Sequence, residues 1–296
     1  MRIFRTDRFP LPLPEGHRFP AEKYRLLYEA VADFADAEFI EAPRASDAEL
    51  LSAHTPGYLH RLNTGTLSRA EERAIGLPWS AALVERSRRS TGATIAACRS
   101  ALDHGCAASL AGGTHHAYAD RGSGFCVFND TAVALRLLLQ EGAIKRALVI
   151  DLDVHQGNGT AAMLADAPIL HTFSMHGAGN FPFQKERSDY DIELADGSGD
   201  DVYLDQLAHA LPSLFAASWP DLVIYLAGAD AYQGDRLGRL ALSQQGLAER
   251  DAMVLTQCRR YGVPVAITMG GGYSVPIGET VAIHATTIRT ALRICS

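Results

Sequence analysis

From Ala147 onward the sequence alternates short, continuous apolar runs with longer stretches of helical patterning. The segments "ALVIDLD", "ILHTFSMH", "DLVIYLAGAD" and "VPVAITMGGGY" have the length and apolar character of buried strands. Between them, "GNGTAAMLAD" reads as a helix start, and helices are expected over about 200–217, about 243–260 and from about 279. Strands too apolar to face water on either side, joined by segments long enough to cross over, dictate β-α-β units with parallel strands. The first half is more helical, with patterning over about 21–37, 81–104 and 129–142, while "CAASLAGGTHHA" reads as a strand running into a loop. The expected fold is therefore α/β: a three-layer α/β/α arrangement with a mainly parallel sheet, in one domain over residues 1–296. No repeat or linker divides the chain.

Composition excludes several classes. No apolar run reaches membrane-spanning length, and the N-terminus lacks the apolar stretch of a secretory signal. The five cysteines are widely spread with no C-x-x-C, which points to reduced thiols in a cytoplasm rather than to a disulfide framework. Net charge is −7 without a basic block, so a nucleic-acid footprint is not expected, and an acidic surface would tolerate a cationic substrate. Oligomeric state is not legible.

In a parallel sheet the chemistry lies beyond the carboxyl ends of the strands. Four strand ends carry reactive residues here: "GGTHHA", "DLDVHQGNG", "AGADAYQGD" and "GGGY". Asp151, Asp153 and His155 are spaced two apart, so they share one face if the extended geometry persists. An Asp-rich turn capping the next helix explains them equally well until Asp230 brings another carboxylate to the same sheet edge. Two Asp and one His then make three protein ligands with one position open, the pattern of a catalytic zinc site, although oxygen and imidazole donors also admit Fe(II), Mn(II) or Co(II). His115 and His116 could handle protons beside a metal, each needing a partner on its other ring nitrogen, with Asp151 and Asn158 as candidates. Tyr273, behind three glycines, is either a packing residue in a tight turn or a phenol that donates to a developing oxyanion. Phe125, Phe128 and Phe181 lie near these loops in sequence. Aromatics of this kind are more often core than pocket, and Phe125, between a Gly-rich turn and a helix start, is the better candidate for a wall.

Together and in this order, the motifs resemble the histone deacetylase and acetylpolyamine amidohydrolase superfamily, with its arginase-like α/β/α fold. The resemblance runs from "LPEGHRFPAEKY" to "MGGGY", and "DLDVHQGNGT", "NFPFQKERSDYDIEL" and "AGADAYQGDRLG" look closest to the class IV deacetylases and their bacterial relatives. It implies one Zn2+ per chain held by Asp153, His155 and Asp230, with His116 as general base and acid. His115, paired to Asp151, matches the histidine that stays protonated, and Tyr273 matches the oxyanion donor. Gly124, Phe125 and Phe181 match the walls of an acyl-lysine tunnel. A structural K+ is implied at Asp151, Asp153, His155, Ser174 and Met175. Many members place an Asp where this chain has Asn158. The class IV group shares the Asn, and an amide can fix the tautomer of His116 but cannot stabilise its cation as a carboxylate would. The implied reaction is hydrolysis of an N-acyl amide without a covalent acyl-enzyme, on an acylated lysine peptide or protein or a small acylated amine. Cys126 is read as a packing residue. The rivals are an acetylpolyamine deacetylase, an arginase-type ureohydrolase with two metals, and an acyl-lysine binder without activity.

Overall fold

The computed structural model describes residues 1–295. Along the chain run β1 (Arg2–Arg5), α1 (Lys23–Val31), β2 (Glu38–Glu41), α2 (Asp47–Leu50), α3 (Pro56–Thr64), α4 (Arg69–Ile75), α5 (Ala81–His104), β3 (Cys106–Ser109) and α6 (Asp130–Gln140). They are followed by β4 (Ala147–Asp151), α7 (Asn158–Leu164), β5 (Leu170–Gly177), β6 (Tyr190–Leu194), α8 (Asp200–Ser218), β7 (Leu222–Ala227), α9 (Gln244–Tyr261), β8 (Val265–Met269) and α10 (Gly278–Cys295). The strands form one eight-stranded sheet in the order β2-β1-β3-β8-β7-β4-β5-β6. Every pairing between these strands is parallel, so the sheet is more uniform than the mainly parallel one expected.

Both faces of the central strands are buried, and alternate residues enter two different cores. Leu148, Ile150, Val223 and Tyr225 join the core that contains residues of α1, α8, α9 and α10. Ala147, Val149, Leu222 and Ile224 join the core on the other face, with residues of α3, α5 and α6. This double burial explains why β4 and β7 read as continuous apolar runs rather than alternating ones. The long helices start where their side chains allow it: Ser80 and Ser243 each accept a backbone N–H of the first turn of α5 and α9.

Three strands escape the sequence reading. β1, β2 and β6 lie toward the sheet margins, are four or five residues long, and carry charges that a buried strand would exclude. The helix expected over about 21–37 stops at Val31, because the chain turns through Asp36 at φ 68° and enters β2 at Glu38.

Candidate active site

The four strand ends singled out above belong to β3, β8, β7 and β4, which are consecutive in the sheet. Their loops therefore converge at one edge. Asp151 is the last residue of β4, but Asp153 and His155 do not continue the strand. The Asp151 Oδ1 accepts the N–H of Asp153 at 3.2 Å, and the Asp153 Oδ1 accepts that of His155 at 3.0 Å. Two successive Asx turns thus replace the extended geometry expected, and it is these turns that fan the three side chains into one site.

His155 stands between two carboxylates, its Nδ1 lying 3.0 Å from Asp153 Oδ1 and 3.2 Å from Asp230 Oδ2. One donor atom from each of the three lies within 4.8 Å of the others, and all three residues are buried. Backbone groups from the loops after β8 and β4 fix the carboxylates. The Gly271 N–H donates to Asp153 Oδ2 at 2.6 Å, and the Val154 N–H to Asp230 Oδ1 at 2.9 Å. The glycine run is explained by this approach: a Cβ at Gly271 would sit 1.7 Å from Asp230 Oδ2. Burial, then the charge of Asp153, pushes the Asp230 carboxyl up to about 7. Burial opposes charge on His155, but Asp153 and Asp230 outweigh it and hold its pKa up at about 10. A buried site with two carboxylates and an imidazole converging on one point fits a small cation held by oxygen and nitrogen donors. Among the described residues it is the one such cluster of three or more.

The adjacent histidines are given opposite electrostatic characters. Their ring centroids are 4.1 Å apart. His115 Nδ1 lies 2.7 Å from Asp151 Oδ2, and although burial opposes its charge, Asp151 and Asp153 raise its pKa to about 9. His116 Nδ1 lies 2.6 Å from Asn158 Oδ1, while Asn158 Nδ2 donates to the Tyr118 hydroxyl at 2.9 Å. With the amide oriented this way the ring must donate, which leaves the other nitrogen of His116 as a proton acceptor. Burial, then the charges of His115 and His155, pushes the His116 pKa well below its ordinary value. The pair is a cation beside a neutral base at neutral pH.

A cavity of about 560 Å3 opens above these groups, and His116, His155, Gly124, Phe125, Phe181 and Tyr273 all line it. Phe181 meets the His116 ring nearly edge to face at 4.9 Å. Gly124 has φ 53°, and a Cβ there would lie 2.6 Å from His116 Cδ2, so glycine keeps the passage open. Phe125 adopts φ 66° and is held by bonds from the Gly124 and Phe125 N–H groups to the carbonyls of Ala74 and Ile75, at 3.0 and 2.7 Å. Phe128 is buried instead against His54 and Tyr58. The Cys126 thiol is pushed up by burial and donates to the Gly124 carbonyl at 3.4 Å. The Tyr273 phenol is pushed well up by burial and then by Asp230, so it remains an O–H donor. Ser174 is in register with Asp151 on the neighbouring β5, its Oγ 3.0 Å from His176 Nδ1, and Met175 follows it, fully buried.

Several supporting residues are missed by the sequence reading, although Lys23 and Asp235 lie within the stretches "LPEGHRFPAEKY" and "AGADAYQGDRLG". Lys23 is buried, donates to the Gly270 carbonyl at 3.2 Å and faces the Tyr273 ring at 5.3 Å. Asp235 Oδ2 accepts the Tyr273 N–H at 2.6 Å. Arg250 reaches across from α9 to the Gly228 and Leu152 carbonyls at 2.6 and 3.3 Å, tying together the ends of β7 and β4. For Lys23 and Arg250 the available signal is a charge placed in a helix, which sequence alone does not distinguish from a surface residue, while Asp235 lies in the loop after β7.

A family profile described as the histone deacetylase domain matches residues 17–289. An uncharacterized protein of a Picosynechococcus strain is 46% identical over 98% of this chain and 97% of its own length. Histone deacetylase 2 of Arabidopsis thaliana is 32% identical over 90% of this chain and 72% of its own length. The histone deacetylase-like amidohydrolase of Pseudomonas aeruginosa is 30% identical over 95% and 80% respectively. In three dimensions the HD domain of HDA15 matches with a TM-score of 0.83 at 21% identity, covering 99% of this chain and 89% of that one. An HDAC homolog from Aquifex aeolicus matches at 0.81 and 23%, covering 98% and 83%. Among the described residues, no helix is long and apolar enough to cross a membrane.

Proposed function

The chain belongs to the histone deacetylase family, and from that premise we propose that it is a zinc-dependent amidohydrolase that removes an acyl group from the amine of lysine side chains or related amines. The observation that carries the reading is the buried Asp153–His155–Asp230 cluster beside a neutral and a cationic histidine, under a cavity with aromatic walls. Asp153, His155 and Asp230 would hold a divalent ion, which when bound would supply Lewis acidity toward an amide carbonyl and a water molecule. His116, its proton fixed on the nitrogen facing Asn158, takes a proton from water on its free nitrogen as the water attacks. His115, held cationic by Asp151, steadies the negative charge that develops nearby. The Tyr273 hydroxyl donates to the oxygen that gains this charge. His116 returns its proton to the departing amine. Phe125 and Phe181 bracket the acyl-bearing chain, and Gly124 leaves it room to pass.

The class IV branch is favoured by Asn158, and a structural K+ is assigned to Asp151, Asp153, His155, Ser174 and Met175. We read the chain as one catalytic domain suited to a reducing cytoplasm, where its five free cysteines persist. A hydrolysis screen tests the proposal, using lysine peptides with acyl groups from acetyl to long fatty chains, and acetylated polyamines. The zinc-loaded protein should release free amine and Asp153→Ala should not. Absence of hydrolysis from fully metallated protein across the panel would leave a binding protein instead, and trapping of an acylated Ser or Cys would refute direct attack by water.

A further inference from the structure

The mouth of the cavity has a charge opposite to that of the molecule. The chain carries 34 acidic and 27 Lys and Arg residues, yet the Arg, Lys, Asp and Glu side chains that line the cavity are Arg18, Arg73 and Arg239, all of them basic. Arg239 is paired to Asp196 at 3.2 Å. Arg18 and Arg73 are exposed, and neither has an ion pair among the described residues.

These two arginines come from different segments that the fold locks onto one rim. The Arg18 guanidinium lies 5.0 Å from the centre of the Phe125 ring. Its neighbour His17 is held to the Gly76 carbonyl at 3.2 Å, just past the end of α4. Arg73 occupies the last turn of α4, whose Ala74 and Ile75 carbonyls hold the Gly124–Phe125 turn. Both positive charges therefore stand beside the wall past which a substrate's amine side must leave the cavity.

We propose that Arg18 and Arg73 form an anion-recognising rim that selects N-acyl amines carrying a carboxylate or phosphate on the amine side, and disfavours polycationic amines. The proposal rests on the amidohydrolase reading and narrows its substrate class. Two exposed guanidiniums beside a low-dielectric wall attract an anion at encounter and repel a cation, an effect carried by KM and weakened by salt. It reverses what net charge alone suggests, since an acidic chain would be expected to welcome cations.

The test compares acetyl-lysine peptides identical except for flanking Glu, Gln or Lys, together with free Nε-acetyl-lysine, its carboxamide and an acetylated polyamine. At low salt, kcat/KM for the Glu-flanked peptide should exceed that for the Lys-flanked one by roughly tenfold, with the difference in KM. Raising the salt should compress the ratio. The Arg18→Gln, Arg73→Gln double variant should bring it to within about twofold, while Arg260→Gln on the far end of α9 should leave it as it is. An acetyl-lysine preferred over its carboxamide by as much would identify a small molecule as the source of the anion; a preference confined to the peptides would identify a protein. Faster cleavage of the Lys-flanked peptide or the polyamine, or a ratio indifferent to salt and to the double variant, would overturn the proposal. The salt series on the unmodified protein decides it even if the variant misfolds. Cleavage of the Gln-flanked peptide separates the two readings, because its absence defeats the amidohydrolase assignment itself.

Discussion

The floor and the mouth of the cavity are built by opposite means. On the floor, Asp153 and Asp230 are almost fully buried, and each is fixed by a backbone N–H from another segment. At the mouth, Arg18 and Arg73 are exposed and Phe183 is 85% exposed, on segments between the regular elements or at their ends. The difference separates two tasks. Low dielectric and fixed dipoles make the floor's charges strong and its geometry costly to change. Solvent screens the mouth, so its residues bias which substrate arrives without disturbing the chemistry below.

Substitutions should respect this division. The largest effect is expected from Gly271→Ala, whose new methyl would meet Asp230 Oδ2. Activity should fall by about a hundredfold or more with loss of metal affinity, measured by steady-state kinetics and metal titration. Tyr273→Phe removes one donor and should lower kcat by about 10²–10³ with KM little changed. Asn158→Asp places a carboxylate behind His116. The acidic limb of the pH–rate profile should then move up by about one to two pH units, because a base must be unprotonated to act and its pKa has been raised. An unmoved limb would show that Asn158 does not govern the basicity of His116. Phe183→Ala, by contrast, should alter stability by less than about 0.5 kcal/mol in denaturant unfolding and kcat by less than about twofold, as expected of an exposed side chain.

A residue beneath the site extends the comparison to stability. His54 accepts the Asn129 N–H at 3.0 Å on Nε2, and its Nδ1 lies 3.3 Å from the Ala119 carbonyl. Burial lowers its pKa to about 4, from 6.5. The unfolded chain therefore binds a proton at a higher pH than the folded one, so this contribution is complete above pH 6.5 and is lost as pH falls toward about 4. The slope is about 1.4 kcal/mol per pH unit for one proton. His54→Gln should remove one proton's worth of that slope from chemical unfolding measured between pH 7 and 4.5, and an unchanged slope would contradict the assignment.

The sequence disclosed the floor better than the mouth, for physical reasons. β4 and β7 are buried on both faces, so their apolar runs stand out and their polar ends mark the site. β1, β2 and β6, with charges such as Arg2 and Glu38 along them, give no such contrast. Asp151, Asp153, His155 and Asp230 were recognisable as strand-end residues, but the Asx turns that aim them depend on side-chain bonds to backbone. Lys23 and Arg250 are charged residues buried through partners distant in sequence, which no local pattern encodes. The rim of Arg18 and Arg73 joins segments far apart along the chain, and net charge pointed the other way.

The most direct measurement is the metal content of the purified chain after zinc reconstitution and dialysis, alongside Asp153→Ala and Asp230→Ala with circular dichroism to verify folding. One ion per unmodified chain and none in either folded variant is the expected result. No retained ion, or an ion retained equally by both variants, would contradict a catalytic centre built on Asp153, His155 and Asp230.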